Sequence, residues 1–526
     1  MLLSACRNVS EKPPLTAEAD TSSVTVILPI EPPETTTETV TYSETEICET
    51  SLSETSDSTS LTESQTEAAS ETAAKSEATA ETAVLETETT TRSTETVKTE
   101  TETTTVTTAK TAAETTTLLT LQYESPSETT VSATAATVTS KPETEPVKAA
   151  SYGSNSYNAL NFREQKGFWI TYLEYGSILK NKSESSFKKS INGYFKNISD
   201  LGFNTVYVQV RAFGDAYYDS ELFPSGEQFD GTIGTSNRFD ALQVMVDCAH
   251  EQGLSIHAWV NPMRLMSTSQ LESINSRYTI KKWYDSSEYN GKYIVKSGDR
   301  WYLNPAYDEV TDLISSGISE IAANYDVDGI QIDDYFYPTT DTSFDKSAYA
   351  GSGTSLSLAK WRISNVNKMV KKLYKAAHGA NSSIVFGISP QGSIENNYDT
   401  LYADVRTWCA ESGYCDYILP QVYFGFENAA LPYADVISAW SNMVKTPDVK
   451  LVIGLAAYKI GVSDNYAGAS GKNEWINNSD IISRQMTLAK ALDNYGGVAI
   501  YRYDSLFNPS SAAAAQVSKE IKNIEK

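Results

Sequence analysis

Beyond about residue 160, short β-rich runs alternate with amphipathic stretches of helical length, and this alternation constrains the fold more than any other feature. Each run has the length and the β-branched and aromatic composition of a buried strand. Strands that alternate with helices form parallel sheets, so eight such units predict an α/β fold of the (β/α)8 TIM-barrel class. The predicted strands cover residues 167–173, 204–211, 254–261, 328–334, 383–389, 416–422, 450–458 and 497–503.

Helical patterns fill most of the intervals between these strands. Residues 239–252 form one, and Gly253 is expected to end it, because a helix commonly closes with a glycine. Residues 308–324 and 357–378 form two more, the latter expected to end at Gly379. The longest insertions all follow strands, which places them on the C-terminal face where such barrels keep their active sites. They cover residues 212–238, 262–306 and 335–356.

Alternate residues of a barrel strand point into the lumen or outward to the helices. In the second strand valines alternate with Tyr207, Gln209 and Arg211, and in the fourth strand isoleucines alternate with Gln331 and Asp333. The apolar sets suit a face covered by helices, so the polar sets are expected to face the lumen. These sets become more polar and aromatic toward the strand ends, a pattern typical of a pocket for carbohydrate or another polar substrate.

The run 327–338 ends the fourth predicted strand in two adjacent acids, Asp333 and Asp334, followed by aromatic residues and Pro338. Adjacent carboxylates are costly to bury because each ionised form loses water. The simplest reason to retain them is an open mouth where they meet a substrate or an ion. Aromatic rings beside carboxylates also suit a sugar, which needs a flat face to stack on and acids to act on its bonds.

Composition divides the chain near residue 150. The first 150 residues hold 26 acidic and 8 basic side chains, no tryptophan, and only Tyr42 and Tyr123 among the 32 tyrosines. Such a Thr/Glu/Ser-rich segment has too little apolar surface to offset chain entropy, so residues 7–150 are expected to form a disordered acidic stalk and 160–526 the folded domain. The net charge of −25 therefore mainly describes the stalk, and no basic face indicates nucleic acid.

The five cysteines predict neither a metal site nor a disulfide framework. They are Cys6, Cys48, Cys248, Cys409 and Cys415, with no Cys/His cluster at zinc spacing. Cys409 and Cys415 are near enough in sequence to pair, although free buried thiols are the preferred interpretation. No metal and no cofactor is expected.

Several segments together resemble the glycosyl-hydrolase-like family ten, bacterial barrel proteins that are often exported or lipid-anchored. The resemblance runs from about residue 162 to 505. It rests on ordered motifs at 202–218, 257–264, 302–305, 328–338, 388–390 and 416–423. It implies a (β/α)8 barrel that acts on glycans, with peptidoglycan strands as the leading substrate class. It does not fix the linkage.

Chitinase-type barrels differ on the fourth strand, where they carry an Asp-x-Asp-x-Glu pattern. In that register Gln331 and Tyr335 stand where the first Asp and the Glu would be, and only Asp333 is retained. A mechanism that uses the substrate's acetamide with a strand-four Glu as acid is therefore disfavoured.

By the alternation of side chains along the strand, Asp333 should face the lumen, and it is the predicted nucleophile or general base. The alternative is a structural carboxylate paired with Arg211 or Arg264. Asp334 should point away from the lumen unless the strand ends early. Its alternatives are a catalytic role, capping of the loop, or a calcium site shared with Asp341 and Asp345.

Glycoside hydrolysis needs a second carboxyl group, about 5 Å away for retention or about 6.5–9.5 Å away for inversion. The candidates are Asp215 after strand two and Glu427 after strand six. Phe424 and Phe426 flank Glu427 closely enough to raise the pKa of an acid placed between them.

The remaining candidates are predicted substrate-binding residues at the strand ends. His257 is equally consistent with a hydrogen-bonded interior imidazole, Trp259 with lumen packing, and Asn304 with a cap near the helix at 308–324. An arginine would suit the lactyl carboxylate of a muramic sugar, since its guanidinium is forked and permanently charged. The full set is Gln209, Arg211, His257, Trp259, Asn261, Arg264, Asn304, Tyr335, Gln421, Tyr423 and Tyr501.

Residues 3–6 (Leu-Ser-Ala-Cys) resemble the lipobox of bacterial lipoproteins, in which the cysteine is lipidated. Only five residues precede Cys6, so residues 1–6 are interpreted as a truncated signal remnant; a chance match is the alternative. The stalk that follows suits a tether, and no apolar run is long enough to span a bilayer. The expected location is the extracellular face of the bacterial membrane, anchored through Cys6 and associated with the cell wall.

Two functions are consistent with these patterns. The first is a monomeric glycoside hydrolase that cuts cell-wall glycan with the acid at the end of strand four. The second is a non-catalytic carbohydrate-binding barrel at the cell surface. Aldol and phosphate-ester chemistry are disfavoured, because no Gly-rich phosphate loop and no lysine at a strand tip is present.

Overall fold

A computed structural model describes residues 152–235 and 237–525. The signal remnant at 1–6 with Cys6 and the stalk at 7–150 lie outside the described residues, so the expectations for them stay predictions. The strands, numbered along the chain, are β1 (Gln165–Ile170), β2 (Thr205–Arg211), β3 (Ser255–Val260), β4 (Arg264–Ser267), β5 (Ile294–Ser297), β6 (Arg300–Leu303), β7 (Gly329–Ile332), β8 (Val385–Ile388), β9 (Tyr417–Ile418), β10 (Lys450–Ala456) and β11 (Tyr495–Tyr501).

Eight of these strands are parallel and close into a barrel, which confirms the predicted (β/α)8 class. Around the barrel they follow the order β1, β2, β3, β7, β8, β9, β10, β11, and β11 pairs with β1. Each barrel strand overlaps one strand predicted from the sequence. The closed sheet leaves no unpaired edge in the barrel.

Helices cover the outside of the barrel and connect the strands. They are α1 (Tyr172–Ile178), α2 (Glu184–Asp200), α3 (Ala241–Glu251), α4 (Thr268–Ser273), α5 (Thr279–Asp285), α6 (Asp308–Asn324), α7 (Lys346–Gly351), α8 (Leu358–Ala380), α9 (Ile394–Asp399), α10 (Val405–Ala410), α11 (Tyr433–Met443), α12 (Gly468–Gly471), α13 (Glu474–Asn477), α14 (Ile481–Lys490), α15 (Tyr503–Phe507) and α16 (Ala514–Ile524). Within the described residues no helix is long and apolar enough to cross a bilayer.

Two predicted helix ends had different outcomes. Gly253 follows α3 with φ +69°, as expected for a glycine that closes a helix. Gly379 does not end α8, which continues to Ala380 and stops at Asn381 in an extended conformation with φ −146°. A helix that leaves through an extended residue needs no left-handed glycine, and this corrects the prediction.

Two barrel strands are shorter than their sequence patterns. β7 ends at Ile332, two residues before the predicted end, so neither acid belongs to the strand ladder. β9 has two residues, because Pro420 lacks the N–H that would continue the pairing. Gln421 then forms isolated bridges to Gln391 and Gly454, which keep the end of β9 aligned with its neighbours.

The insertion at 262–306 contains a small antiparallel sheet in the order β4–β6–β5, which the sequence reading missed. Ser297 pairs with Arg300 across a two-residue turn, and Gly298 in that turn has φ +59°, a conformation that glycine adopts without strain. The sheet follows β3 directly and therefore lies on the C-terminal face of the barrel.

The lumen is filled by its own cluster of large side chains, separate from the core between strands and helices. Room for the rings comes from glycines on neighbouring strands: a Cβ on Gly387 would lie 1.9 Å from the Tyr417 ring. The cluster comprises Trp169, Tyr207, Trp259, Tyr417, Leu419, Val452 and Ala499.

Residues 152–161 extend the domain N-terminally across the base of the barrel. The Tyr157 hydroxyl donates to Oδ1 of buried Asp328 at 2.8 Å, and the backbone N–H of Leu160 donates to the same oxygen at 2.5 Å. Asp328 also accepts from the N–H of Ile256 at 2.8 Å and contacts His250 Nε2 at 3.0 Å. The chain therefore enters the domain at the face opposite the active-site face.

Candidate active site

Asp333 follows β7 and faces the lumen at the C-terminal mouth of the barrel. Its Oδ2 accepts hydrogen bonds from Trp259 Nε1 at 2.8 Å and from Asn261 Nδ2 at 2.7 Å. Its Oδ1 accepts from the backbone N–H of Tyr335 at 3.3 Å. The residue is 2% exposed, so three donors fix the carboxyl group at the bottom of the mouth.

Asp334 also turns toward the mouth, because β7 has already ended and its alternation no longer applies. Gln421 Nε2 donates to Oδ1 of Asp334 at 3.1 Å and to the carbonyl of Ser389 at 3.1 Å. Asp334 is half-buried. The two carboxyl groups therefore diverge, that of Asp333 toward β3 and that of Asp334 toward the end of β9.

Burial is the main reason that the pKa of Asp333 lies well above its usual value, and the nearby charge of Asp334 raises it further. Burial likewise raises the pKa of Asp334. Hydrogen bonds to both groups and the charge of Arg264 oppose these rises. Because the charge of one group raises the pKa of the other, the two do not both ionise easily, and the pair retains a proton to higher pH than a free aspartate would.

Gln209 connects this pair to the end of β1. Its Nε2 donates to Oδ1 of Asn261 at 2.8 Å, and its Oε1 accepts from the backbone N–H of Tyr172 at 3.1 Å. Because Asn261 in turn donates to Asp333, the amides form a continuous chain across three strand ends. This chain orients Asn261 and leaves the Gln209 side chain buried beneath the mouth.

Arg264 lies beside the acids on the opening residue of β4. Its Nε donates to the carbonyl of Ala212 at 3.1 Å, and its guanidinium carbon lies 3.7 Å from the ring centroid of Tyr335 and 4.4 Å from that of Phe213. Arg264 is 4% exposed. Its positive charge lowers the pKa of Asp333, so it stabilises the ionised form.

Four aromatic rings form a wall on the other side of the mouth. The Tyr423 centroid lies 5.6 Å from that of Tyr501 and 5.8 Å from that of Tyr458, and Trp169 lies 5.9 Å from Tyr501. Tyr458 is 43% exposed, so its ring is open to a ligand. The three tyrosine rings present flat apolar faces to a sugar, whereas Trp169 is buried in the lumen cluster and supports them.

A family model described as glycosyl hydrolase-like 10 matches residues 164–469. The chain belongs to this family. The glycosyl hydrolase DigH of Escherichia coli strain K12 is 32% identical over 339 residues, 60% of this chain and 76% of that protein. The glycosyl hydrolase YngK of Bacillus subtilis strain 168 is 33% identical over 361 residues, 63% of this chain and 68% of that protein. These matches confirm the predicted family and the glycosyl hydrolase class, with a glycan as substrate.

Among solved structures, the glycoside hydrolase domain of PgaB (BpsB) from Bordetella bronchiseptica is 14% identical with a TM-score of 0.44. The similarity covers 67% of this chain and 98% of that domain.

In this glycosyl hydrolase-like 10 protein the Arg211 side chain lies outside the lumen, not in it as predicted. A register shift between β2 and β3 pairs Gln209 with Trp259 but Arg211 with outward-facing Val260. The Arg211 guanidinium consequently packs 4.3 Å from the Phe223 ring and against Gly317 of α6. This bulge corrects the lumen assignment, because strict alternation holds only along an unbroken ladder.

The two candidates for a second carboxyl group occupy different environments. Asp215 is buried, and its Oδ1 accepts from the backbone N–H groups of Ala212 and Phe213 at 2.9 Å each, so it shapes the loop after β2. Glu427 is exposed, which corrects the expected enclosure between Phe424 and Phe426. The loop of Glu427 is held instead by Glu474 of α13, which accepts from two of its backbone N–H groups.

His257 belongs to the layer beneath the mouth. Its Nδ1 lies 2.8 Å from the Tyr417 hydroxyl and its Nε2 lies 3.2 Å from Ser255 Oγ. Burial lowers the pKa of His257 to about 4. With both ring nitrogens engaged and 1% exposure, the imidazole fits the interior alternative and does not reach a ligand at the mouth.

Asn304 likewise serves its own loop. Its Nδ2 donates to the carbonyl of Lys292 at 2.9 Å, and its Oδ1 accepts from the N–H of Ala306 at 3.2 Å. It is buried and lies before Tyr307, the residue that caps α6. The structure therefore places it as a support of the small sheet rather than at the acids.

The alternative of a calcium site shared by Asp334, Asp341 and Asp345 does not fit the structure, because Asp345 is paired with Arg362. Both Asp345 oxygens accept from Arg362, at 2.7 Å from Nη2 and 2.9 Å from Nε, and Nη2 also donates to the carbonyl of Asp341. An arginine thus occupies the place where the ion was expected. Between residues 152 and 525, as far as they are described, no His, Cys, Asp and Glu side chains cluster as a metal site.

Cys248, Cys409 and Cys415 are free and buried, so the alternative pairing of the last two is not formed.

The sequence reading missed three residues at the mouth. Trp169 donates from Nε1 to Gln331 Oε1 at 2.7 Å and supports the aromatic wall from β1. Tyr458 follows β10, and Arg300 opens β6. Extending the parity argument to the first strand would have found Trp169, whereas nothing in the sequence pattern placed Tyr458 or Arg300 at the mouth.

Proposed function

We propose that this protein hydrolyses glycosidic bonds in the glycan strands of bacterial cell wall, of the peptidoglycan type, with Asp333 and Asp334 as the reacting acids. The observation that carries the proposal is the divergent pair at the end of β7. One carboxyl is held toward β3 and the other toward β9. Hydrolysis needs an acid at the leaving oxygen and a carboxylate on the side of the anomeric carbon.

The environments of the two acids differ in the way these roles require. Burial raises the pKa of both acids, so between their two titration steps the pair carries one proton and one negative charge. Oδ2 of Asp333 accepts hydrogen bonds from Trp259 and Asn261, and because these donors stabilise a carboxylate, we assign the charge to Asp333. Asp334 is half-buried and open to the mouth, so it holds the shared proton and gives it to the leaving oxygen. The C–O bond then breaks, and water adds to the anomeric carbon either directly or after a glycosyl-enzyme ester with Asp333 has formed. The proton of the water passes to Asp333 in the direct reaction and to the deprotonated Asp334 in the reaction through the ester.

The walls of the mouth support a glycan of alternating N-acetylated sugars. The apolar faces of these sugars can stack on the Tyr423, Tyr458 and Tyr501 rings. Opposite that wall, Arg264 contributes a cation near the acids, which suits the lactyl carboxylate of a muramic sugar. A polymer with both features is the glycan of peptidoglycan after its peptides have been removed, because the lactyl carboxyl group is otherwise bound in an amide.

The proposal includes the location of the protein at the extracellular face of the membrane, tethered by a lipid on Cys6 and the stalk at 7–150. It rests on the lipobox-like residues 3–6. Labelling cells with a radioactive or clickable fatty acid tests it: the wild-type chain takes up label and Cys6→Ser does not. Equal labelling of both chains would contradict the anchor.

Reducing-end release from intact and peptide-stripped glycan strands tests the hydrolase. We expect release by the wild-type chain and a loss of about 10³-fold or more in Asp333→Asn and Asp334→Asn. Asp326→Asn, at an exposed residue that precedes β7 on the opposite face of the barrel, is the matched control and should retain activity. Saturable glycan binding without any reducing ends would instead support the non-catalytic binding barrel.

A further inference from the structure

Two arginines converge on one aromatic ring at the edge of the mouth. The guanidinium carbon of Arg300 lies 4.2 Å from the centroid of Phe213, and that of Arg264 lies 4.4 Å from it. Phe213 follows the C-terminal end of β2. Its ring centroid lies 5.0 Å from that of Tyr172, which is the second residue after β1. The cationic edge therefore continues the mouth that holds Asp333.

Arg300 differs from Arg264 in what its guanidinium can still bind. Arg264 is buried and donates to the carbonyl of Ala212. Arg300 is half-exposed, and in the described part of the chain its guanidinium makes no ion pair and no hydrogen bond. Its N–H groups are thus available to a ligand, while the Phe213 ring limits the positions that the guanidinium can take.

The backbone holds Arg300 firmly at this place. It is the first residue of β6, pairs with Ser297 across the tight turn of the hairpin, and pairs with Ser267 of β4 on the other side. A side chain carried on a three-stranded sheet is placed more accurately than one on a loop. The small sheet therefore positions a cation over the mouth.

We propose that Arg300 forms a subsite for a carboxylate group carried by the glycan, which makes it a specificity residue. This inference rests on the proposed function. A forked guanidinium binds a planar carboxylate through two parallel N–H···O bonds, and the nearby charge of Arg264 strengthens the attraction. A neutral sugar offers Arg300 no such partner, so the subsite discriminates by charge.

Two carboxylates of glycans have this chemistry: the lactyl ether of a muramic sugar and the C6 carboxylate of a uronic acid. Isothermal titration distinguishes the lactyl group from the uronate. The ligands are peptide-stripped cell-wall strands, the same strands after carboxyl reduction, and hyaluronan oligosaccharides. If only the affinity for the cell-wall strands depends on Arg300, the lactyl group is the ligand. If the affinity for hyaluronan depends on Arg300, the uronate is a ligand.

The full chain carries Asp334→Asn in every titration, so that the ligand survives. We expect the protein with Arg300 to bind the carboxylate strands about tenfold more tightly than the reduced strands. In Arg300→Gln the ratio of the Kd for reduced strands to the Kd for carboxylate strands should fall to about one. Arg300→Lys should give an intermediate ratio, because lysine keeps the charge but lacks the forked guanidinium. Lys296→Gln removes an exposed charge from β5 of the same sheet and should keep the full ratio.

Equal binding of the carboxylate and reduced strands by the protein with Arg300 would overturn the inference, as would a full ratio in Arg300→Gln. Reducing-end release by the wild-type chain is scored separately. Hydrolysis without a preference for carboxylate strands would contradict the subsite and support the hydrolase. A preference that depends on Arg300, without hydrolysis, would contradict the hydrolase and support the subsite.

Discussion

The indole Nε1 of Trp259 donates a 2.8 Å hydrogen bond to Oδ2 of Asp333, so an aromatic side chain of β3 orients the acid that follows β7. This bond lowers the pKa of Asp333 against the larger effect of burial. The same ring also fills the lumen beneath the mouth. Trp259 therefore both orients the acid and packs the lumen of the barrel.

Trp259→Phe should separate these two roles. The variant keeps a ring but loses the donor, so the pKa of the acid pair rises and the acidic limb of the rate profile moves to higher pH. We expect kcat to fall about 10- to 100-fold, the effect of one hydrogen bond to a charged group. Trp408→Phe is the control, since Trp408 is also buried and donates to Oδ1 of Asn367 on α8, a helix outside the barrel. An unchanged pH profile in Trp259→Phe would contradict the orienting role.

Asp333→Asn should lose activity without losing stability. Because burial raises the pKa of both Asp333 and Asp334, the folded acid pair holds a proton that the unfolded chain releases above about pH 4. Stability therefore falls as the pH rises through the folded pKa. An asparagine removes this ionisation, so we expect a Tm at pH 8 that equals or exceeds that of the wild type by about 2 °C. A lower Tm at pH 8 would favour the structural alternative for Asp333.

His257 should make the protein sensitive to acid. Burial lowers its pKa to about 4, so between pH 6.5 and pH 4 the unfolded chain binds a proton that the folded protein does not. Stability is lost as the pH falls through this window, by about 3 kcal/mol in total. His257→Gln should narrow the difference in Tm between pH 7 and pH 4.5, because the variant has no imidazole to protonate. A difference in Tm as large as that of the wild type would disprove this assignment.

Arg362 should stabilise the loop after β7 through its buried ion pair with Asp345. Both side chains are fully buried, so Arg362→Met leaves an unpaired charge and should cost about 3–5 kcal/mol in chemical denaturation. Adding Asp345→Asn should recover much of that loss. The exposed pair of Arg406 and Glu395 provides the control, because Arg406→Met should cost less than about 1 kcal/mol. No recovery in the double variant would refute the ion-pair explanation.

Tyr458 should contribute to binding rather than to stability. Its ring is 43% exposed beside Tyr423, so Tyr458→Ala should raise KM about 5- to 10-fold and leave the Tm nearly unchanged. Tyr458→Phe keeps the stacking face and should retain a KM close to that of the wild type. A large loss of Tm in Tyr458→Ala would assign the ring to packing.

The barrel could be predicted from the sequence because alternation of strands and helices is a local signal repeated eight times. Parity also identified Asp333 as a lumen-facing acid, since β7 is regular up to Ile332. The same argument failed at Arg211, where a bulge reverses the alternation without leaving a mark in the residue pattern. For Asp334 the argument left an exception for a strand that ends early, and this exception applies because β7 ends at Ile332.

Residues contributed by the insertions were beyond sequence reasoning. The burial of Asn304, the exposure of Glu427 and the position of Arg300 depend on how loops fold over the strand ends. Loop conformation is set by tertiary contacts, such as the Glu474 carboxylate that holds the loop of Glu427, and these contacts join distant parts of the chain.

A crystal structure of Asp334→Asn with a bound glycan fragment tests the central assignment most directly. We predict that the scissile oxygen lies within about 2.6–3.2 Å of the residue-334 side chain. The anomeric carbon should face Asp333, and the sugar should stack on the tyrosine wall. A fragment bound across the mouth with its glycosidic bonds out of reach of both residues would contradict the assignment.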